Sequence, residues 1–404
     1  MSRCLKPRLS LLFFLQYFIN GAIFPIIALY LKDYLHFTGV QAGTILATAA
    51  ISAIVSPVFG AVVADKFLSA EKLFGLCSLL SALCMFTLSR VTGFIPVLIF
   101  YFFFGLFNGP AVALSNAIVF HHTPGDREKF GGMRLWGTVG WITVAMGFSL
   151  IYLRSGGNLR GALVLAGIAG IFLAAYVVLA IPGGEKRAAG RPTMFPREAL
   201  RVFARRDILL LSVVTLLFVT GEKIYYFGTG LYLRSLGLEE TFIMPFMSIA
   251  QGTEIIAMLL LARIIRRWSA RRVLFFGLAF QGLKFLLLSS GPLALAGAGI
   301  ACHGPSFTLF MITAFIYLDR HCGKEIRTGV HQIFNFVEAG LANLLGNVGA
   351  GLLSDAFALP SGGMRFRLFW AVPGATVMLL LLLMICFFPT EQAHLKRRGR
   401  APDP

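Results

Sequence analysis

Hydrophobic residues fall along this chain in long unbroken runs, not at the alternating or 3.6-residue spacing of half-buried elements. Twelve such stretches can be read, at about 9–31, 41–63, 73–92, 95–118, 135–153, 160–181, 208–233, 242–262, 273–290, 294–318, 329–353 and 367–388. Most approach the roughly 20 residues that a membrane-spanning helix needs, and inside hydrocarbon only helices and closed barrels satisfy their own backbone. The short alternating segments of a barrel are absent. The pattern therefore predicts an all-α polytopic membrane protein with twelve transmembrane helices. A basic segment at 183–207, GGEKRAAGRPTMFPREALRVFARRD, separates the sixth run from the seventh. It divides the chain into a six-helix bundle at 1–182, a cytoplasmic linker at 183–207, and a second six-helix bundle with a short tail at 208–404. Within the linker, REALRVFARR has the periodicity of a short amphipathic surface helix, and reads equally well as a solvated tether carrying anchoring charge.

Composition sharpens this reading. Hydrophobic residues make up 57% of the 404 and charged residues 13%, with a mean hydropathy of +0.79; soluble domains carry roughly 25% charged residues. A net charge of +18 would suggest nucleic acid in a soluble protein, but here its distribution describes topology. With both termini cytoplasmic, 27 of the 36 Lys and Arg lie on the inner side and seven on the outer, while Lys223 and Lys284 fall within helices. That asymmetry predicts a multi-pass protein of the cytoplasmic membrane with lipid, not nucleic acid, around it. The opening MSRCLKPRLSLLFFLQYF continues as apolar sequence to Leu31 without a small-residue cleavage site, so it reads as the first helix. The six cysteines form no disulfide or metal-binding pattern. No Walker loop, HExxH or GxSxG is present, which leaves ATP hydrolysis and common hydrolase chemistry without residues to carry them. The expectation is a transporter, not an enzyme, without metal or cofactor and driven by an ion gradient or by the solute's own gradient.

The informative positions are polar residues inside the apolar runs. A carboxylate at the bilayer centre costs about 2.5 to 3.5 kcal/mol even on the lenient insertion scale, so it persists where it faces protein or water. The eighth run, FMSIAQGTEIIAMLLLA, places Gln251 and Glu254 three apart on one helical face. The seventh contains VTGEKIYYFGTG, with Glu222 followed at i+3 and i+4 by Tyr225 and Tyr226, and with Lys223 adjoining as a cation able to neutralise a buried carboxylate. The fifth opens with GGMRLWGTVGW, which sets Arg134, Thr138 and Trp141 on one stripe beside the small Gly137 and Gly140. In the eleventh, GVHQIFNFVEAGLANLLGNVG, His331, Asn335 and Glu338 share a face and Gln332, Asn343 and Asn347 add amides. His303 and Pro305 in CHGPSFTLF predict a kinked tenth helix, and Gln16, Asn20, Asn108 and Asn116 are further intramembrane amides. Any one of these could be an interhelical hydrogen bond. Taken together they predict a solute pathway.

Two levels of family resemblance follow from these residues. The six-linker-six plan resembles the major facilitator superfamily, in which two six-helix halves enclose a midplane site. FGAVVADKFLSAEK after the second run resembles that superfamily's signature loop, with Asp65 and Lys66 in the gating positions; the matching ARIIRRWSARR of the second half is basic but lacks the Asp. More narrowly, FLQYFINGA, VADKFLSAEK, RLWGTVGW and QGTE resemble motifs of the nucleoside:proton symporter family, collinear over roughly the whole chain. This resemblance implies substrate-binding roles for Arg134, Thr138, Gln251 and Glu254, with Trp141 and Phe307 at aromatic positions. The chain departs from the family at Glu222 and Tyr225, where characterised members carry Gln and Asn, and at Thr308, where they carry an acidic residue. The expected function is proton-coupled symport of a small polar solute, nucleoside foremost, by a monomer. Glu254, Glu222 and Glu338 are the proton-coupling candidates, and Glu222 and Tyr225 join the substrate-binding set. The same fold also moves sugars, drugs and lipids, and a non-transporting membrane sensor is the reading from another class.

Overall fold

Each apolar run forms a helix, usually a few residues longer than the run itself, because the backbone stays hydrogen-bonded past the point where side chains turn polar. The computed structural model describes residues 5–66, 69–123, 127–182, 197–323, 325–360 and 362–389, the side chains of 56–66 and 127–129 excepted. The long helices are α1 (Leu5–Tyr34), α2 (Gly39–Lys66), α3 (Ala70–Leu88), α4 (Phe94–His122), α5 (Phe130–Leu153) and α6 (Arg160–Ala180). They continue as α7 (Arg206–Ser235), α8 (Glu240–Arg267), α9 (Ala270–Ser289), α10 (Leu293–His321), α11 (Arg327–Ala356) and α12 (Phe366–Phe387). Among the described residues, eleven of these are long and apolar enough to cross a membrane; α2 meets the apolar criterion over its shorter stretch Gly39–Val55. Asp65 and Lys66, the residues expected to gate, end α2, and their side chains lie outside the described residues.

Several helices are irregular, with identifiable causes. In α1 the regular pattern stops at Ile23 and resumes at Ile27, astride Pro25, which lacks an amide hydrogen. In α8 it breaks at Ser248, three residues after Pro245. In α10 it restarts at His303, just before Pro305, and widens to i→i+5 hydrogen bonding over Thr308–Ile312. The same wider turn runs through Phe336–Ala342 of α11. Such widened turns concentrate at functional positions.

The chain forms two compact units. The first comprises residues 1–192, 223–248 and 343–356. In it α1 packs on α5 and α6, α3 on α4 and α6, and α2 on α4 and on Asn343–Ala356, the last part of α11. Gly39, Gly43 and Gly351 let α2 and α11 touch backbone to backbone, the small-residue contact favoured where lipid supplies no hydrophobic drive. Asp355 closes this contact: its two carboxylate oxygens accept hydrogen bonds from the Gly39 and Val40 amides at 2.5 and 2.8 Å, satisfying donors orphaned at the start of α2. Lys32 donates to Ser354 at 2.7 Å, and Arg234 pairs with Asp33 at 3.1 Å.

The second unit comprises residues 193–222, 249–342 and 357–404. Here α9 packs on α10 and α12, and α8 on α10. Phe218 and Phe310 stack at the centre of its core, with ring centroids 4.3 Å apart. The amphipathic segment expected in the linker is a helix over Arg197–Phe203 that buries Ala199 and Val202 against the start of α11. Nearby, the buried carboxylate of Asp207 accepts from Arg205 at 3.1 Å and from the Tyr317 hydroxyl at 2.9 Å.

The α2–α11 contact makes a direct prediction. A Cβ on Gly351 would overlap the Gly39 carbonyl, whereas one on Gly349 meets no neighbour within 4 Å. Gly351→Ala should destabilise the purified protein by about 1 to 3 kcal/mol, the usual range for overpacking, while Gly349→Ala leaves it unchanged. Thermal unfolding in detergent compares the two.

Candidate functional site

The fifth-helix stripe stands as its spacing predicted, and α1 supplies the opposing surface. Gly137 and Gly140 of α5 bring it against Tyr17 and the Phe14 backbone. The Arg134 guanidinium therefore lies over the Tyr17 ring, 3.8 Å from its centroid, with Phe13 farther away at 5.8 Å. A cation on an aromatic face is worth about 0.5 to 2 kcal/mol according to its desolvation, and the stacking fixes the plane of the guanidinium. One turn further lies the half-buried Thr138, and another turn brings Trp141 against Gly21 and nearly parallel to Phe24, with centroids 6.2 Å apart.

Trp141 forms one wall of a cavity of about 290 Å³ within the first unit. Tyr101 of α4, Lys223 and Tyr226 of α7, and Asn343 and Asn347 of α11 complete its polar and aromatic lining, and Phe24, Phe227 and small aliphatic residues fill the remainder. Asn347 is oriented by its own helix: its side-chain amide donates to the Asn343 backbone carbonyl at 2.9 Å and side-chain carbonyl at 2.6 Å. The cavity lining thus combines aromatic rings with two amides and the Lys223 ammonium.

Other first-unit amides serve the packing. Gln16 donates to Asn108 at 3.1 Å, and Asn108 donates to Asn20 at 3.1 Å, a buried relay tying α1 to α4. Asn116 bonds to its own helix at Val112. Of the alternatives open for these residues, interhelical and intrahelical bonding is the one observed.

In the second unit, Gln251 is buried on α8 with its side-chain carbonyl unsatisfied among the described residues, and Glu254 is half-buried one turn away. Gly304 of α10 rests directly on the backbone of Thr253 and Glu254, so α8 and α10 meet at this carboxylate-bearing turn. Phe307 packs on the core and stacks with His303, centroids 6.0 Å apart at 16°. The neighbouring Thr308 is buried, its hydroxyl unsatisfied among the described residues. Tyr225, which belongs to the first unit, is fully buried. Glu338 is half-buried on the widened turn of α11, while Asn335 and Gln332 are exposed. His331 contacts Asp319 at 2.7 Å and stacks on Phe315.

Glu222 provides the main correction. Its cation is Lys284 of α9, with Nζ 2.7 Å from Oε1, not the adjoining Lys223, which lines the first-unit cavity. Successive helical residues diverge by about 100°, so neighbours in sequence rarely share a partner. His303 Nδ1 lies 2.9 Å from the other carboxylate oxygen. One turn along the same three helices, Ser306 donates to Gln281 at 2.7 Å and Gln281 reaches the Phe218 carbonyl at 3.4 Å, making a second polar rung. Lys284 and Gln281 were missing from the expected site. A lysine in an apolar run needs a buried acid, and the carboxylate of α7 was available in the sequence to supply it.

These features define a class: a helical membrane transporter that carries a paired ammonium and carboxylate, Lys284 and Glu222, in its interior. The family model described as Nucleoside H+ symporter matches residues 3–393, and the chain belongs to that family. It is similar to the "Putative nucleoside transporter YegT" of Escherichia coli (strain K12), with 28% identity over 94% of this chain and 93% of the relative. It is likewise similar to the "Xanthosine permease" of the same organism, with 25% identity over 96% of each. The solved structure of the nucleoside transporter NupG superposes with a TM-score of 0.84 at 20% identity, over 97% of this chain and all of that one, and establishes the fold. The protein is a secondary transporter and not an enzyme.

The buried pair gives a stability prediction. Lys284→Met strands the Glu222 carboxylate and should cost about 3 to 5 kcal/mol, whereas Glu222→Gln combined with Lys284→Met should recover most of that loss. The melting temperatures of the purified single and double variants report it.

Proposed function

We propose that the protein imports nucleosides across the cytoplasmic membrane together with protons, acting as a monomer with twelve spanning helices and both termini in the cytoplasm, and without a bound cofactor. The observation that carries this reading is Trp141 on the wall of a cavity of about 290 Å³ that combines aromatic faces with amides. Small-molecule sites begin near roughly 300 Å³ and pair apolar walls with a few placed polar groups. A nucleoside matches that pattern, since its base offers two flat faces and its edge and sugar offer hydrogen-bonding groups. The names of the relatives, a nucleoside transporter and a xanthosine permease, point the same way. The excess of Lys and Arg in the segments assigned to the inner side supports the orientation.

In this mechanism Trp141 and Phe307 offer stacking surfaces, and Arg134, Thr138 and Gln251 bind base or sugar. Tyr101 and Tyr226 extend the aromatic wall around Trp141. Glu254 takes up a proton from one side and releases it to the other, which links solute movement to the proton gradient. Glu338, on the widened turn of α11, is a further proton-coupling candidate, and Asp65 and Lys66 gate the cycle. Tyr225, buried in the helix packing, is a further substrate-binding candidate carried by the resemblance.

Uptake of labelled uridine and adenosine into proteoliposomes under an inward proton gradient tests this reading. Accumulation that collapses with the gradient is expected, and Glu254→Gln should abolish accumulation while sparing nucleoside exchange; an unimpaired variant removes Glu254 from the coupling. Trp141→Ala should raise KM by about tenfold to a hundredfold, because base stacking on an aromatic side chain is worth about 1 to 3 kcal/mol. Trp141→Phe should keep KM close to its original value.

A further inference from the structure

Three ionisable side chains that the mechanism above leaves unused meet inside the second unit. Lys284 is 0% exposed, His303 2% and Glu222 4%, each on a different helix. Glu222 stands between the other two, one oxygen 2.7 Å from the ammonium and the other 2.9 Å from the imidazole. Stability alone does not account for such a group, since hydrophobic residues of equal volume commonly replace buried ion pairs at no cost or with gain. Ionisable residues inside a membrane mark substrate or proton paths by default.

The electrostatics single out one member. With Glu222 ionised and Lys284 protonated, the pair is neutral, and the imidazole decides the charge of the cluster. A neutral His303 leaves the net charge at zero; a protonated His303 makes it +1 and places the added charge against the carboxylate that already faces it. Binding the proton forms one N–H bond at the second ring nitrogen, and releasing it breaks that bond, with water on either side as donor and acceptor. No other group need change charge. Lys284 therefore acts as the fixed counter-charge, and Glu222 as the anchor that orients the ring.

The position of His303 connects this charge to the solute. Its ring stacks on Phe307 at 16°, so an imidazolium would lie against the same aromatic ring that the proposed mechanism gives to the substrate. The next residue, Gly304, touches the backbone of Thr253 and Glu254. Among the described residues, Glu222 from α7 faces the His303 ring and Lys284 from α9 faces Glu222, while Glu254 is carried on the α8 turn whose backbone meets Gly304 and Cys302 adjoins on the same helix. The ring also lies at the point where α10 resumes after its break, ahead of the widened turn at Thr308–Ile312.

We propose that His303 is a second proton-carrying residue of the transport cycle, held by Glu222 and charge-balanced by Lys284, and acting alongside Glu254. The inference rests on the symport reading, and its test separates the two. Full-length protein is reconstituted in proteoliposomes, and gradient-driven uridine accumulation and gradient-free uridine exchange are measured from pH 5.5 to 8 for the unsubstituted protein, His303→Gln and Glu254→Gln. The expected result is that His303→Gln loses accumulation, retains exchange, and loses the pH dependence of exchange. A merely structural histidine would lower both fluxes and leave the shape of the pH profile intact, and that outcome overturns the proposal. If Glu254→Gln uncouples transport while His303→Gln accumulates uridine normally, the symport reading stands and the role of His303 falls. If the unsubstituted protein moves no nucleoside, both fall. Should His303→Gln fail to fold, as judged by size-exclusion chromatography, the charge-neutral combination of Glu222→Gln with Lys284→Met replaces it. That variant leaves His303 facing an uncharged partner and should displace the pH profile of exchange; an unmoved profile overturns the proposal.

Discussion

An ammonium group placed in the middle of an apolar helix must find its counter-charge within the protein, because hydrocarbon supplies none. Lys284 meets this constraint through Glu222, and the arrangement of α7, α9 and α10 follows from it. Once Lys284 and Glu222 are joined, Gln281 one turn away on α9 comes level with Phe218 on α7, and Ser306 on α10 completes that rung as His303 completes the other. Polar contacts of this kind fix register in a way that apolar packing in lipid cannot, since exchanging one methyl neighbour for another costs little there. The stacked Phe218 and Phe310 then fill the space that the rungs set.

Elsewhere the same constraint is met by backbone. The first amides of α2 have no helical partner, and the Asp355 carboxylate takes two of them. This works because Gly39, Gly43 and Gly351 bring the two helices to backbone contact; any side chain between them would hold the carboxylate away. On α5 the small residues serve the Arg134, Thr138 and Trp141 stripe in the same manner: Gly137 and Gly140 admit α1 so closely that Tyr17 becomes the surface on which the Arg134 guanidinium lies. A guanidinium oriented in this way is preorganised, and less rotational freedom remains to be lost when a ligand binds.

How far the sequence revealed this depends on the range of the interaction. The helices were legible because hydropathy is a local property, and the Arg134, Thr138 and Trp141 stripe because its members share one helix. Family motifs made the transporter class legible as well. The counter-ion of Glu222 was not, since Lys284 is 62 residues away and the nearer Lys223 appeared a sufficient partner. Gln16, Asn20 and Asn108 show the converse: spacing flagged them correctly as intramembrane amides, but only the packing of α1 on α4 shows that they bond to one another. The role of Asp355 is not legible, because its partners are backbone amides more than 300 residues away, which no side-chain pattern records.

The irregular turns give these local facts a common physical meaning. Three helices, α7, α8 and α11, each contribute to both compact units. In α8 the passage occurs at the Ser248 break, and in α11 it follows immediately on the widened turn of Phe336–Ala342. In α7 it falls between Glu222 and Lys223, so that one residue joins the ionic cluster and the next lines the aromatic cavity. Where i→i+4 bonding is interrupted, a helix bends at less cost than along a regular stretch. Glu338 lies on such a turn, and His303 and Phe307 lie between the break of α10 and its widened turn. His303 lies where α10 resumes after its break, so a change of charge at its ring would act directly beside an irregular turn, and no long-range pathway through rigid helix is needed to couple the two.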